Sequence, residues 1–292
     1  MSDKRTDIQQ AYIATRFSRP QTSHPFSLSA LLRLFCVGIC IALIVQWIVA
    51  LIGMGTATQF TYKSFDVFLH SKWFWILVLF LTLVGPLLEE ILFRLWLRPT
   101  YRWVHISIAT IITYTLAPFI AWWLLGFVIL RWVAFICAYL LLMHVKDLVA
   151  VIGNFLSRYR RRIFVLQALI FGWLHVLNYT TLSPWRLGIV LVLPQTILGS
   201  ILWFERLHWN WQVALLHHIL HNTFLFAPFI FLYSMGYDIA ALLQSAGDMS
   251  WLALSSTAQW MLSIYMLLYL VIISVGMRYL ASFFIVLRRG WK

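Results

Sequence analysis

Apolar residues run along this chain in blocks of about 16 to 28, long enough to cross a bilayer as tilted or kinked helices. Eight such blocks lie near 31–54, 73–97, 104–124, 126–143, 163–179, 187–203, 211–234 and 259–286. Pro118, Gly126 and Arg131 interrupt the third and fourth, which form one long apolar region. The pattern predicts an all-α, polytopic integral membrane protein with about eight transmembrane helices. It divides the chain into a polar cytoplasmic tail over 1–30 and a single multi-span membrane domain over 31–292. Because the first apolar run begins only near Leu31, later than the core of a cleaved signal peptide, the first span is read as uncleaved.

Composition strengthens this picture. The 292 residues are 62% hydrophobic and 11% charged, against about 25% charged in soluble domains, which leaves no room for a separate water-soluble domain. Cys36, Cys40 and Cys137 form no CxxC pattern and read as small apolar side chains.

The net charge of +13 matters through its distribution. With the N-terminus in the cytoplasm, fifteen lysines and arginines, Arg206 among them, fall on the cytoplasmic side of the eight spans, and Lys63, Lys72 and Arg186 on the other. This positive-inside asymmetry places both termini in the cytoplasm of a cell (inner) membrane protein. The "RYRRR" run at 158–162 abuts an apolar block and reads as a topology anchor touching anionic headgroups, so no nucleic acid is expected as a partner. Trp73, Trp209 and Trp211, near span ends, suit the interfacial aromatic belt.

One stretch is out of place in lipid. "GPLLEEILFRLWLRP" (85–99) puts Glu89, Glu90 and Arg94 on an apolar span, where each charge costs about 2.5–3.5 kcal/mol on insertion scales, so partners or a wet cavity are required. Glu90 and Arg94 are four apart and share a helix face, which predicts an ion pair. Glu89 points about 100° away and is the acid more available for other work, although Arg94 can still reach it. Pro86 predicts a kink that opens backbone carbonyls at this level.

Other polar groups gather on two further spans. "FGWLH" places His175 one turn after Phe171, and "LLHHILHN" holds His217, His218, His221 and Asn222. His218 and Asn222 share a face; His217 and His221 form a neighbouring stripe. At 1.5 Å per residue, Glu89 lies about 13 Å inside Arg98, His218 about 12 Å inside Asn210, and His175 about 20 Å beyond Arg162. If these groups meet, the set contains an acid or base, two imidazoles and an amide donor, which suits hydrolysis of an amide by activated water with a stabilised oxyanion. No serine or cysteine stands beside a histidine within a motif, so no covalent nucleophile is indicated. Glutamate and histidine are zinc-ligand types, but their scatter over three spans has no standard ligand spacing and HExxH is absent. No metal or other cofactor is expected, with a divalent ion such as zinc kept as the alternative.

Taken together, "EEILFR", "FGWLH" and "HILHN", as EExxxR, FxxxH and HxxxN in that order on separate spans, resemble the CAAX prenyl protease and bacteriocin-processing (CPBP, or ABI) family of intramembrane endopeptidases. The resemblance covers Glu89 to Asn222, within a motif core of about 73–234. It implies a multi-span helical core with an intramembrane catalytic cavity open to the cytoplasm. It also implies that Glu89 and His175 activate water, that His218 and Asn222 stabilise the oxyanion, and that Glu90 and Arg94 support them. Hydrolysis without a metal is the favoured family reading. His217 and His221 stand outside the pattern. The expected partners are the lipid bilayer and a membrane-associated peptide or protein substrate, CAAX-like and prenylated in one form of this reading. Two other classes remain open: a proton-coupled transporter using the acids and histidines as a relay, although no repeated pair of broken helices is present, and a catalytically silent membrane scaffold or immunity protein.

Overall fold

In a computed structural model, the residues described are 27–52, 73–97, 104–113, 127–145, 147–175, 185–239 and 254–289. The tail over 1–26, Lys63, Lys72, Arg98, Pro118, Gly126 and most of the loop near 235–258 therefore lie outside them. Among these residues the secondary structure is helical throughout. The elements are α1 (Leu28–Ile52), α2 (Phe74–Leu79), a π-turn (Phe80–Val84), α3 (Gly85–Phe93), a 3-10 turn (Leu95–Leu97), α4 (Val104–Thr113) and α5 (Phe127–Met143), followed by α6 (Leu148–Leu174), α7 (Trp185–His208), α8 (Trp211–Ser234) and α9 (Ser256–Arg289).

Among the described residues four stretches, against the eight expected, are long and apolar enough to cross a membrane: Leu28–Val45, Phe74–Leu97, Trp211–Ser234 and Ser256–Phe283. A fifth is possible if the bent pair Trp132–Met143 and Leu148–Tyr159 is one span. By length and composition these helices point to a membrane protein. The block expected over 163–179 falls on the second of two helices that meet at a kink within Leu148–Leu174, with the arginine run straddling the junction. The junction is Tyr159, whose backbone leaves helical geometry (φ −117°, ψ 18°), so α6 is a kinked pair of which Leu148–Tyr159 is the first helix.

Helix ends follow local chemistry. Ser27, Asn210 and Ser255 precede α1, α8 and α9, and the side-chain oxygen of each accepts the N–H three residues on, at 3.3, 2.9 and 3.3 Å. That is the N-cap arrangement, which satisfies one orphan donor at each start. At the end of α8, Gly236 takes φ +86°, the Gly236 N–H donates to the Tyr233 carbonyl and the Tyr237 N–H to the Leu232 carbonyl. This Schellman closure needs a left-handed residue, hence glycine. Beyond it, the Ser255 N–H donates to the Tyr237 hydroxyl oxygen at 2.7 Å, and the Ser255 hydrogen bonds hold that phenol below its ordinary pKa.

The described residues fall into two compact units. One is built from Leu87–Val165 with Trp203–Ala214, the other from Ser27–Pro86, Leu166–Leu202 and Leu215–Lys292. In the second, Val37, Ile41 and Val45 of α1 pack with Ile201 and Phe283, while Cys36, Ile39 and Leu43 pack with Ile272. Lipid is as apolar as these side chains, so close packing rather than hydrophobic drive must hold such helices together. Gly276 of α9 shows this: a Cβ there would collide with the Cys36 carbonyl and Cys40. Cys36 and Cys40 are buried and free, in keeping with small apolar fillers. The opposite stripe of α9, Trp260, Ile264, Leu267 and Val271, is more than half exposed, as a lipid-facing surface requires. Phe74, Leu232, Ile239, Leu254 and Ala258 form a further cluster.

In the first unit the buried polar residues are conspicuous: Glu90, Arg94, His105, Glu205 and Arg206 are at most 3% exposed. Arg206, expected among the cytoplasmic topology charges, is inside the protein. Its Nε and Nη2 donate to the carbonyls of Arg94 and Leu95, each at 3.0 Å. The physical reason is the end of α3 at Phe93: beyond it the Arg94 carbonyl accepts only the long turn bond from the Leu97 N–H, at 3.2 Å, and a guanidinium offers five N–H groups to complete such carbonyls. His105 does the same service for α5: its Nε2 lies 3.0 Å from the Leu142 carbonyl, in the last turn of that helix.

Candidate functional site

The EExxxR motif sits on α3 and the turn after it. Glu90 and Arg94 form a buried ion pair through Oε1 and Nη1, one helical turn apart. Glu89, on the neighbouring stripe, is half-buried. The pair is thus structural in its surroundings, with Arg206 bonded to the backbone of its arginine.

Just before α3 the chain widens. The Gly85 N–H donates to the Phe80 carbonyl, five residues back, which defines the π-turn. In that register the Leu81 carbonyl would next accept from residue 86, but Pro86 has no N–H. The Asn222 side chain fills the vacancy: Nδ2 donates to the Leu81 carbonyl at 2.9 Å. The kink expected at Pro86 therefore takes the form of a π-turn, and the HxxxN asparagine is the donor that makes it tolerable in lipid. A second proline shows the same rule. Pro228 lies inside α8, four residues after Phe224, and the Tyr265 hydroxyl donates to the Phe224 carbonyl at 2.8 Å.

Asn222 has two amide hydrogens, so a bond to Leu81 leaves one for another acceptor. Asn222→Ala is expected to strand the Leu81 carbonyl and cost about 1–3 kcal/mol of stability. Asn222→Asp should cost more, since it sets an acceptor against an acceptor. Thermal unfolding of the purified variants in detergent checks this ranking.

The FxxxH and HxxxN motifs come together around one ring. Phe171 is fully buried, with the His175 ring 4.9 Å and the His218 ring 6.0 Å from its own centroid. His175 Nδ1 lies 2.8 Å from the Phe171 carbonyl. A carbonyl only accepts, so Nδ1 carries the proton and Nε2 holds the lone pair of the neutral ring, the tautomer a general base needs. His175 is half-buried and His218 buried.

His217 and His221 go elsewhere, which separates the two histidine stripes. The His217 ring lies 5.7 Å from Phe35 on α1, and a Cβ on Gly38 would lie 3.9 Å from both His217 and His221. These two line the α1 side of α8, while His218 takes the α6 side.

Glu89, Glu90 and Arg94 belong to the first unit, and His175, His217, His218, His221 and Asn222 to the second. Sequence reasoning missed Glu205, Arg206, His105 and Gln167. Glu205 and Arg206 were legible as an acid and a base side by side in "SILWFERLHW", a stretch otherwise apolar enough to demand partners for them. Gln167 stands one turn before Phe171 and two before His175, 6% exposed, and its amide atoms make no hydrogen bond among the described residues. No group of three or more histidine, cysteine, aspartate or glutamate side chains among the described residues is arranged to hold a metal ion.

No protein-family model, curated protein or solved structure matches the chain.

Proposed function

We propose that this protein is an intramembrane endopeptidase of the CAAX-protease-like kind, hydrolysing a peptide bond of a membrane-associated protein or peptide. In this reading eight spans with both termini in the cytoplasm enclose a cavity in an inner membrane, where Glu89 and His175 activate water without a metal. His218 and Asn222 hold the oxyanion, and Glu90 with Arg94 supports the helix that carries Glu89. The substrate is a lipid-anchored or hydrophobic segment, prenylated in the CAAX-like case.

The observation that supports it most is the packing of Phe171 against both His175 and His218. It gathers the imidazoles of two motifs, and the His175 tautomer leaves a basic nitrogen. Two imidazoles and an amide donor are the groups that water activation and oxyanion stabilisation need.

The two histidine stripes supply the test. His218→Ala should lower cleavage of a hydrophobic peptide by about 10²–10³-fold, the loss typical of removing one oxyanion donor. His217→Ala, on the α1 side, should leave cleavage within a few-fold of wild type. Equal loss in both variants, or in neither, contradicts the assignment. A proton-flux assay in liposomes of the same preparations separates hydrolysis from a proton-coupled transporter, in which the flux and not the cleavage would follow the acids and histidines.

A further inference from the structure

The bend between α5 and α6 carries an inference independent of catalysis. Trp132–Met143 and Leu148–Tyr159 are bent by 88° with respect to each other. Trp132, Val133, Ile136, Leu140 and Leu141 of α5 are exposed and apolar, as lipid contact demands. With α5 directed along the bilayer normal, a bend of that size lays Leu148–Tyr159 in the membrane plane. Asp147, at φ +63°, stands where the direction changes; aspartate tolerates that left-handed conformation better than most residues.

The exposed face of Leu148–Arg162 suits that position. Val151 and Phe155 are at least half exposed on one edge of it, and Asn154, Ser157, Arg158 and Arg161 are exposed on the other. Apolar and basic halves side by side describe an interfacial helix, one edge in the acyl boundary and one among headgroups. At its end the chain bends at Tyr159, whose ring lies 5.3 Å from that of Phe155. The guanidinium carbons of Arg158 and Arg162 lie 5.4 and 6.0 Å from the centroid of the Tyr159 ring. An arginine stacked on an aromatic face keeps its N–H edge for an anion, and that planar edge matches phosphate oxygens. The whole of α6 contains no acidic residue to compete.

We propose that Leu148–Tyr159 lies in the membrane interface and that Arg158 and Arg162, organised around Tyr159, bind the phosphate of an anionic phospholipid. The exposed Val151 and Phe155 beside the arginines select a lipid over a soluble anion, because they offer the acyl chains a surface that free phosphate cannot use.

The test titrates the full-length protein in micelles with dioleoyl phosphatidylglycerol or dioleoyl phosphatidylcholine and counts bound lipids by native mass spectrometry. The expected result is tighter binding of phosphatidylglycerol, weakened about 25-fold in Arg158→Gln/Arg162→Gln, or about fivefold for each arginine. Arg158→Lys/Arg162→Lys, which keeps the charge without the planar stack, should fall between. Equal binding of the two lipids by wild type, or unchanged binding by the glutamine pair, overturns the proposal. So does displacement of phosphatidylglycerol by equimolar inorganic phosphate, which would make this a site for any anion. A label at Phe155→Cys checks the geometry without relying on those variants. Quenching by brominated lipids should place it at the headgroup–acyl boundary, and a depth near the bilayer centre overturns the interfacial placement.

Discussion

Glu90→Gln is expected to destabilise the folded protein by about 3–5 kcal/mol, the range for removing one member of a buried ion pair. Glu90 and Arg94 are 1% and 0% exposed, so no solvent screens the arginine once its carboxylate is gone. Attraction across the pair only offsets the several kcal/mol spent in desolvating each ion; loss of one partner leaves the other's desolvation uncompensated. The double variant Glu90→Leu/Arg94→Met removes both charges and should recover most of the loss. Reversible unfolding in mixed micelles measures this cycle. A cost below about 1 kcal/mol for Glu90→Gln, the value of an exposed pair, would contradict a buried structural role. Arg206 is tied to the same turn by its bonds to the Arg94 and Leu95 carbonyls, so Glu90→Gln should loosen the end of α3 as well.

Glu89→Gln is expected to behave in the opposite way. Glu89 is half-buried on the neighbouring stripe of α3, and glutamine is nearly isosteric, so stability should change by less than about 1 kcal/mol. Hydrolysis should fall by about 10²–10⁴-fold, the usual contribution of a general base. The contrast between adjacent glutamates is the sharpest consequence of the proposed function: one charge holds the fold and its neighbour is assigned the chemistry. Loss of activity in Glu89→Gln together with loss of fold would merge the two roles and remove the distinction.

Much of the framework was legible in the sequence because lipid leaves few choices. Long apolar runs must be helical, and helices stand at or overlap each of the predicted blocks, with α4 described only to Thr113 and α6 a pair of helices kinked at Tyr159. Among the described residues four stretches, or five with the bent pair, are long and apolar enough to span, against the eight expected. The Glu90–Arg94 pair followed from a spacing of four. What sequence pattern missed was the fate of backbone carbonyls. Periodicity shows which face a side chain occupies, but not that Pro86 would turn the helix before it into a π-turn needing Asn222, nor that α3 would end in a turn needing Arg206. Arg206 was counted by charge and position as a cytoplasmic topology charge, whereas its partners lie more than a hundred residues earlier in the chain. The separation of His217 and His221 from His218 likewise depended on which helices pack on each side of α8, Phe35 and Gly38 on one and Phe171 on the other.

The central claim, hydrolysis dependent on Glu89, is tested most directly by comparative peptidomics of membranes and medium from cells carrying the wild-type chain or Glu89→Gln at equal abundance. The expected result is a set of membrane-associated peptides or proteins that persist uncut only in the variant and whose cleavage products are missing from it. Identical peptide profiles in the two strains, with both proteins folded and inserted, would contradict it.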